Sequence, residues 1–254
     1  MQITFLGTGT STGVPQIGCD CPTCTSHNPH DKRFRASVLI TLANGRRLLV
    51  DCGPDFRQQI IQSGSPELEA LLITHSHYDH VGGIDDLRPY CKGCRDFPTY
   101  CQADVAEDLR TRNPWSFAPK LYPGVPTFEI HEIEAGKPFM IAGTEILPLA
   151  VHHGKLPILG FRIGDMAYIT DCKTMPDESY NALQGIDTLI INALRHIEHP
   201  THMTIEQTFE AIKRIRPRHS YLTHISHDLG TAAEVEKSLP PNITLAYDGL
   251  RIEI

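Results

Sequence analysis

The run His75-Ser76-His77-Tyr78-Asp79-His80 places three imidazoles and a carboxylate in one short stretch. It follows residues 68–74 (LEALLIT), which are apolar enough to read as a buried strand. His75 and His77 are two residues apart, so a locally extended backbone points both side chains the same way. Asp79 and His80 come after the chain has turned. The arrangement suits two neighbouring metal ions better than one, and zinc-like cations take imidazole nitrogen and carboxylate oxygen readily. A surface loop that is merely rich in histidine would have no echo elsewhere. Here residues 146–151 run into His152-His153, residues 166–170 into Asp171, and residues 221–223 into His224. Each of these alone reads as a turn residue or a satisfied polar group. Together they require a fold in which distant strand ends meet, because a strand that stops at the ligand fixes it better than a free loop.

The 254 residues suffice for a substantial core, and no linker or low-complexity stretch interrupts them. We read one unit over 1–254 with a cysteine-rich insert at about 18–30. A net charge of -7 lacks the broad basic surface that long nucleic acids require, which disfavours a nucleic-acid partner. No segment approaches the roughly 20 apolar residues that cross a bilayer, so no membrane partner is expected. The opening MQITFLGTGTSTG has no basic start and no apolar signal core, so a cytoplasmic location is the expectation. In that setting the eight cysteines read as metal ligands or free thiols before disulfides.

Strands are expected at 2–7, 68–74, 144–151, 159–163, 167–170, 188–192 and 220–223. Hairpins are expected over 36–51, around Asn44-Gly45, and over 243–254, around Asp248-Gly249. Helices are expected after Pro54, ended by Gly64, and at 84–90 and 231–238. Another is expected at 204–215, where Thr204 and Gln207 form a capping box. Hairpins among scattered helices indicate an α+β chain with a mixed sheet pair covered by helices.

Cys19, Cys21 and Cys24 crowd one short loop, and a fourth ligand would close a tetrahedral zinc site. Spacing nominates His27, and the sequence-remote His227 is the other candidate. Cys91, Cys94 and Cys101 read as ordinary cysteines, because a lone C-x-x-C is a weak signal. Asp51 is a candidate either for orienting an imidazole ligand or for capping the helix after Pro54. Lys32, Arg33 and Arg35 read as solvated surface before a substrate anion site, and Lys155 lies next to His153.

The chain resembles the metallo-β-lactamase superfamily of hydrolases. The matching pieces are Phe5-Leu6-Gly7-Thr8-Gly9, Asp51-Cys52-Gly53, the 75–80 run, His153, Asp171 and His224. The resemblance implies a four-layer αββα sandwich of two mixed β-sheets flanked by helices. It implies that His75, His77 and His153 hold one divalent metal, that Asp79, His80 and His224 hold a second, and that Asp171 bridges them. Zinc, manganese or iron would suit such ligands. Exported β-lactamases of the superfamily carry cysteine at the position of Asp171, which disfavours β-lactam hydrolysis here. The C-x-C-x-x-C insert and Thr223-His224-Ile225-Ser226-His227 are similar to the cyclic phosphate phosphodiesterase family of the bacterial phosphonate (carbon–phosphorus lyase) pathway. That similarity implies a structural zinc on Cys19, Cys21, Cys24 and His227, and a histidine near the metals at His202.

These resemblances imply a dinuclear phosphodiesterase acting on a small phosphodiester or cyclic ribosyl phosphate. Its nucleophile would be a hydroxide shared by two cations. Asp79 and His202 are the catalytic candidates, with His202 as general acid or phosphate-orienting donor. The partner is a small phosphorylated substrate, and the resemblance is compatible with a homodimer. Thioester or lactone hydrolysis, transfer RNA 3′ processing and a non-enzymatic metal-binding role are the alternatives.

Overall fold

Two seven-stranded sheets lie face to face in the computed structural model, which describes residues 1–91, 96–118 and 124–254. The first sheet contains β1 (Gln2–Gly7), β2 (Ser37–Thr41), β3 (Arg47–Val50), β4 (Ala70–Leu72), β5 (Phe97–Cys101) and β6 (Phe128–Glu132). The second contains β7 (Phe139–Ile141), β8 (Thr144–His153), β9 (Leu156–Ile163), β10 (Met166–Ile169), β11 (Thr188–Asn192), β12 (His219–Thr223) and β13 (Ile243–Leu245). The last strand, β14 (Arg251–Glu253), returns to the first sheet. The orders are β14-β1-β2-β3-β4-β5-β6 and β13-β12-β11-β10-β9-β8-β7.

Alternation along the strands explains the layers. Val38, Ile40, Leu48 and Val50 face inward and pack with Phe161, Ile163, Tyr168 and Ile190 of the other sheet. Their neighbours Leu39 and Leu49 face outward, onto Phe56, Ile60, Val105 and Leu109. Strands buried on both faces are continuous apolar runs, which is how SVLI and RLLV read. Seven helices cover the sheets or the insert among the described residues: α1 (Pro22–Thr25), α2 (Phe56–Gln62), α3 (Tyr78–Val81), α4 (Ala103–Arg112), α5 (Asp177–Ala182), α6 (Ile205–Ile215) and α7 (Ala232–Val235). The helices α2 and α4 cover the first sheet, and α5, α6 and α7 the second. Thr204 caps α6 through the expected capping box with Gln207. No described helix is long and apolar enough to cross a membrane.

The expected C-terminal hairpin does not form. Instead β13 pairs with β12 and β14 pairs with β1, so Asp248-Gly249 steps from one sheet to the other. The turn signal is real, but its partners are tertiary. Asp248 accepts from the Thr8 hydroxyl at 2.7 Å and from the Phe34 N–H at 2.6 Å, and the Gly249 N–H donates to the Phe5 carbonyl at 2.8 Å. Residues 97–141, where the sequence predicts no element, supply β5, β6, β7 and α4. Pro98 masks β5, half-exposed edge residues mask β6, and α4 shows only Val105, Ala106 and Leu109 as a buried stripe. Residues 84–91 wind as a 3₁₀-helix that includes Pro89. Helix α2 starts beyond Pro54, where the Asp55 carboxylate pairs with Arg35 and gives no side-chain cap.

Candidate metal centre

Parallel pairing brings the carboxyl ends of two strand groups to one edge. Strands β3, β4 and β5 are parallel in the first sheet, and β10, β11, β12 and β13 in the second. Asp51 follows β3, the 75–80 run follows β4, Asp171 follows β10 and His224 follows β12. A hydrogen bond from the Leu159 N–H, in β9, to the Thr74 carbonyl beyond β4, 3.0 Å, ties the two sheets together. Asp51, Asp171 and His224 all have left-handed backbone, with φ of 62, 53 and 55°. Such residues cost about 1–3 kcal/mol each and persist where the surroundings hold them. Here the strain lets each strand end turn its side chain toward the shared edge. Behind them the backbones press close: a Cβ on Gly53 would lie 2.0 Å from the Asp79 carbonyl oxygen.

Asp79, His80, Asp171 and His224 gather their donor atoms within 4.8 Å of one another, all buried. His153, Asp171 and His202 form a second such group that shares Asp171. His75 and His77 adjoin it. Their Nε2 and Nδ1 lie 3.0 Å apart, and their ring centroids stand 5.6 and 5.1 Å from that of His153. Every residue expected at the paired centre is therefore brought to one place. The alternative His152 is taken up in backbone pairing with Thr174 and belongs to neither group.

The outer hydrogen bonds set which nitrogen of each ring faces inward. His80 Nδ1 donates to Asp51 Oδ2 at 2.7 Å. His75 Nδ1 donates to Thr74 Oγ1 at 3.0 Å, and that hydroxyl donates onward to Asp51. His153 Nδ1 donates to the Asp171 carbonyl at 2.9 Å. Each inner nitrogen is thus the one left to face a cation, as in imidazole metal ligands whose other N–H is held by a carboxylate or carbonyl. Asp51 is fully buried and serves this role rather than capping α2. Thr74 and Thr170 are site residues that the sequence reading does not name. Their signal is the threonine placed directly before His75, Asp171 and His224, and Thr170 donates to Asp171 Oδ2 at 2.7 Å.

Burial pushes His75 well down and His224 down to about 4, so both rings are neutral at pH 7. Burial would also lower His80, but Asp79, Asp171 and Asp51 outweigh it and raise that ring well above its ordinary value. Its Nε2 lies 3.1 Å from Asp79 Oδ2 and 3.1 Å from Asp171 Oδ2, yet it makes no hydrogen bond of acceptable geometry. A fully buried nitrogen between two carboxylates without such a bond fits a shared cation. The separations are those of ligands around one ion at about 2.0–2.2 Å.

The insert shows the same match. His227 Nδ1 lies 3.5 Å from Cys19 Sγ and 3.3 Å from Cys21 Sγ, and Cys24 completes the group. Zinc ligation at about 2.3 Å to sulfur and 2.0–2.1 Å to nitrogen puts tetrahedral sulfur and nitrogen ligands about 3.5 Å apart. The Cys24 N–H, ahead of His227, draws the Cys21 thiol down to about 6. His27 is exposed and lies outside the group. Cys101 is buried in the core, and Cys94 lies outside the described residues. The basic run is solvated surface at Lys32, which is exposed, but not at Arg33, which is buried, or at the half-buried Arg35. Lys32 donates to the Cys24 carbonyl, buried Arg33 to Thr8 and the Ala246 carbonyl, and Arg35 pairs with Asp55.

Two mixed sheets with a histidine and aspartate cluster at one edge define a metal-dependent hydrolase. The sequence pattern of the "Beta-lactamase superfamily domain" matches residues 46–225, and the chain belongs to the metallo-β-lactamase superfamily. A solved structure, "Crystal Structure of a New Diphosphatase from the PhnP Family", is 38% identical, with a TM-score of 0.92 and coverage of 99% of this chain and 96% of that one. The chain is thus related to the PhnP family. Zinc-bound PqqB from Methylobacterium extorquens, 20% identical with a TM-score of 0.78 over 100% of both chains, shares the fold. A curated octanoyltransferase from Porphyromonas gingivalis is 45% identical over 251 residues. That match covers 98% of this chain but 51% of the relative, so the chain spans about half of that protein's length.

Proposed function

We propose that this chain hydrolyses a small phosphoric ester or diphosphate, including cyclic ribosyl phosphates, at a centre holding two divalent cations. The observation that carries this reading is the shared carboxylate. Asp171 Oδ2 faces His80 and His224 at 3.1 Å each, while Oδ1 faces His202 at 3.0 Å. Two ligand groups joined by one aspartate suit a reaction that builds charge on adjacent oxygens. When bound, the cations supply a more acidic water and Lewis-acid stabilisation of the phosphoryl group. His75, His77 and His153 would hold one, and Asp79, His80 and His224 the other. Cys19, Cys21, Cys24 and His227 would hold a structural zinc.

His202 sits where a proton donor is needed. Its Nδ1 meets Thr201 Oγ1 at 3.0 Å and His199 Nδ1 at 3.1 Å, which leaves Nε2 aimed at the cluster. That nitrogen would hold the proton that the leaving oxygen takes. Lys173 braces the same loop by donating to the His202 carbonyl. The expected result for His202→Ala is a fall in kcat of about 10²–10⁴-fold with the cations retained, read by turnover beside metal content. Full turnover in that variant would remove His202 from the reaction.

Acyl chemistry is the second reading, favoured by the name of the 45% identical relative. That name belongs to a protein about twice as long. The thiol beside Asp171, Cys172, is fully buried and pushed far up by burial, which makes it a poor acyl nucleophile. The test is turnover of a phosphodiester, a cyclic phosphate, a diphosphate and an octanoyl thioester by metal-reconstituted protein. Phosphorus substrates should be preferred, and chelation should stop the reaction until metal is restored. Faster thioester cleavage would favour the acyl reading.

A further inference from the structure

The opening Gly7-Thr8-Gly9-Thr10 stretch has no part in the chemistry above, yet it is packed against the centre. After β1 the chain threads between residues 33–35 and Ile225. The Gly9 N–H donates to the Phe34 carbonyl at 2.7 Å, the Thr10 N–H to the Ile225 carbonyl at 3.0 Å, and the Ile225 N–H to the Thr8 carbonyl at 2.9 Å. The passage admits little beyond glycine. A Cβ on Gly7 would lie 2.0 Å from the Arg35 carbonyl oxygen, and one on Gly9 would lie 3.0 Å from that of Arg33. The Gly13 N–H then closes a turn onto the Thr10 carbonyl at 2.8 Å. Thr10 is thus pinned by its backbone on both sides, and its β-branched side chain has few rotamers.

Its hydroxyl lies 3.2 Å from His224 Nε2, with the two residues 7% and 0% exposed. The other ring nitrogen, Nδ1, lies 3.1 Å from Asp171 Oδ2 and 3.3 Å from Thr170 Oγ1. A cation among Asp79, His80, Asp171 and His224 excludes a proton from the nitrogen that faces it. The ring must then carry its proton on Nε2, where the acceptor within reach is the Thr10 hydroxyl. We propose that Thr10 is a positioning residue that accepts the His224 Nε2–H and so holds the Nδ1 lone pair toward the cations. The glycines of the opening stretch have their purpose here, since they let the backbone come close enough for that hydroxyl to reach the ring. The inference rests on the two-cation reading of the centre but not on the substrate.

Thr10→Val keeps the shape and removes the hydroxyl, whereas Thr10→Ser keeps the hydroxyl. Chelator competition on the full chain, with manganese and zinc as probes, should show affinity at the histidine and aspartate centre falling about 10–100-fold in the valine variant. The serine variant should stay near wild type, and the thiolate-bound zinc should persist in both. Ring nitrogen–proton correlations on the zinc-loaded wild type should place the His224 proton on Nε2, a readout that needs no variant. Equal affinities for wild type and Thr10→Val would overturn the proposal. So would equal losses in both variants, or a proton on Nδ1 in the loaded wild type. A wild type that binds no cation at this centre would sink the function proposed above as well, whereas an inactive substrate panel would leave the affinity comparison intact.

Discussion

Asp171→Asn is expected to lower turnover by a factor on the order of 10³ or more and to strip the cations from the paired centre. Asparagine keeps the size of the side chain and tolerates the left-handed backbone at this position, so the change removes charge more than shape. The carboxylate is 2% exposed and faces His80, His202 and His224 at once. An amide in its place has one oxygen instead of two and would present N–H groups toward nitrogens that must remain lone-pair donors. Both ligand groups share this residue, so both lose a ligand together. Metal analysis after dialysis should find zinc retained on the insert and little else. Full metal content with full turnover would refute the shared-ligand arrangement.

Legibility in the sequence follows the length of the physical signal. Strands buried on both faces are visible because both alternating positions are apolar, as in SVLI and TLIIN. The ligands are visible because the 75–80 run, Asp171 and His224 each follow a short strand with apolar residues and His153 ends one, and a strand end marked by histidine or aspartate is a local pattern. Thr10 is not visible as a partner of His224, since 214 residues separate them and nothing local in either segment names the other. Asp248-Gly249 misleads for the same reason. The dipeptide specifies a turn, but the choice between pairing its own flanks and bridging two sheets depends on Thr8 and Phe34. Arg33 lies in a charged run that looks solvent-facing, and only the fold shows that Thr8 and the Ala246 carbonyl enclose it.

Cys21→Ser should cost about 3–5 kcal/mol of unfolding free energy, part of the roughly 10–16 kcal/mol that structural zinc supplies to peptides unfolded without it. The insert has little core of its own. Ile17 is 97% exposed, and Cys19 and Cys21 are only half-buried, so the chain there is held by what its thiols grip. Cys21 is central to that grip: its sulfur accepts from the Cys24 N–H at 3.4 Å and meets His227 at 3.3 Å. The consequence should travel, because His227 ends the segment that begins at His224. Between them, the Ile225 N–H bonds the Thr8 carbonyl and the Ser226 N–H bonds the Leu194 carbonyl at 3.1 Å. Releasing His227 frees one end of that segment and loosens the hold on the His224 imidazole. Denaturant titrations with and without chelator separate the contributions. The variant should resemble chelated wild type in stability at the insert, and it should lose cations from the paired centre at lower chelator concentration than untreated wild type. Unchanged stability and unchanged zinc content in Cys21→Ser would show that the insert is held by packing and that the thiols are bystanders.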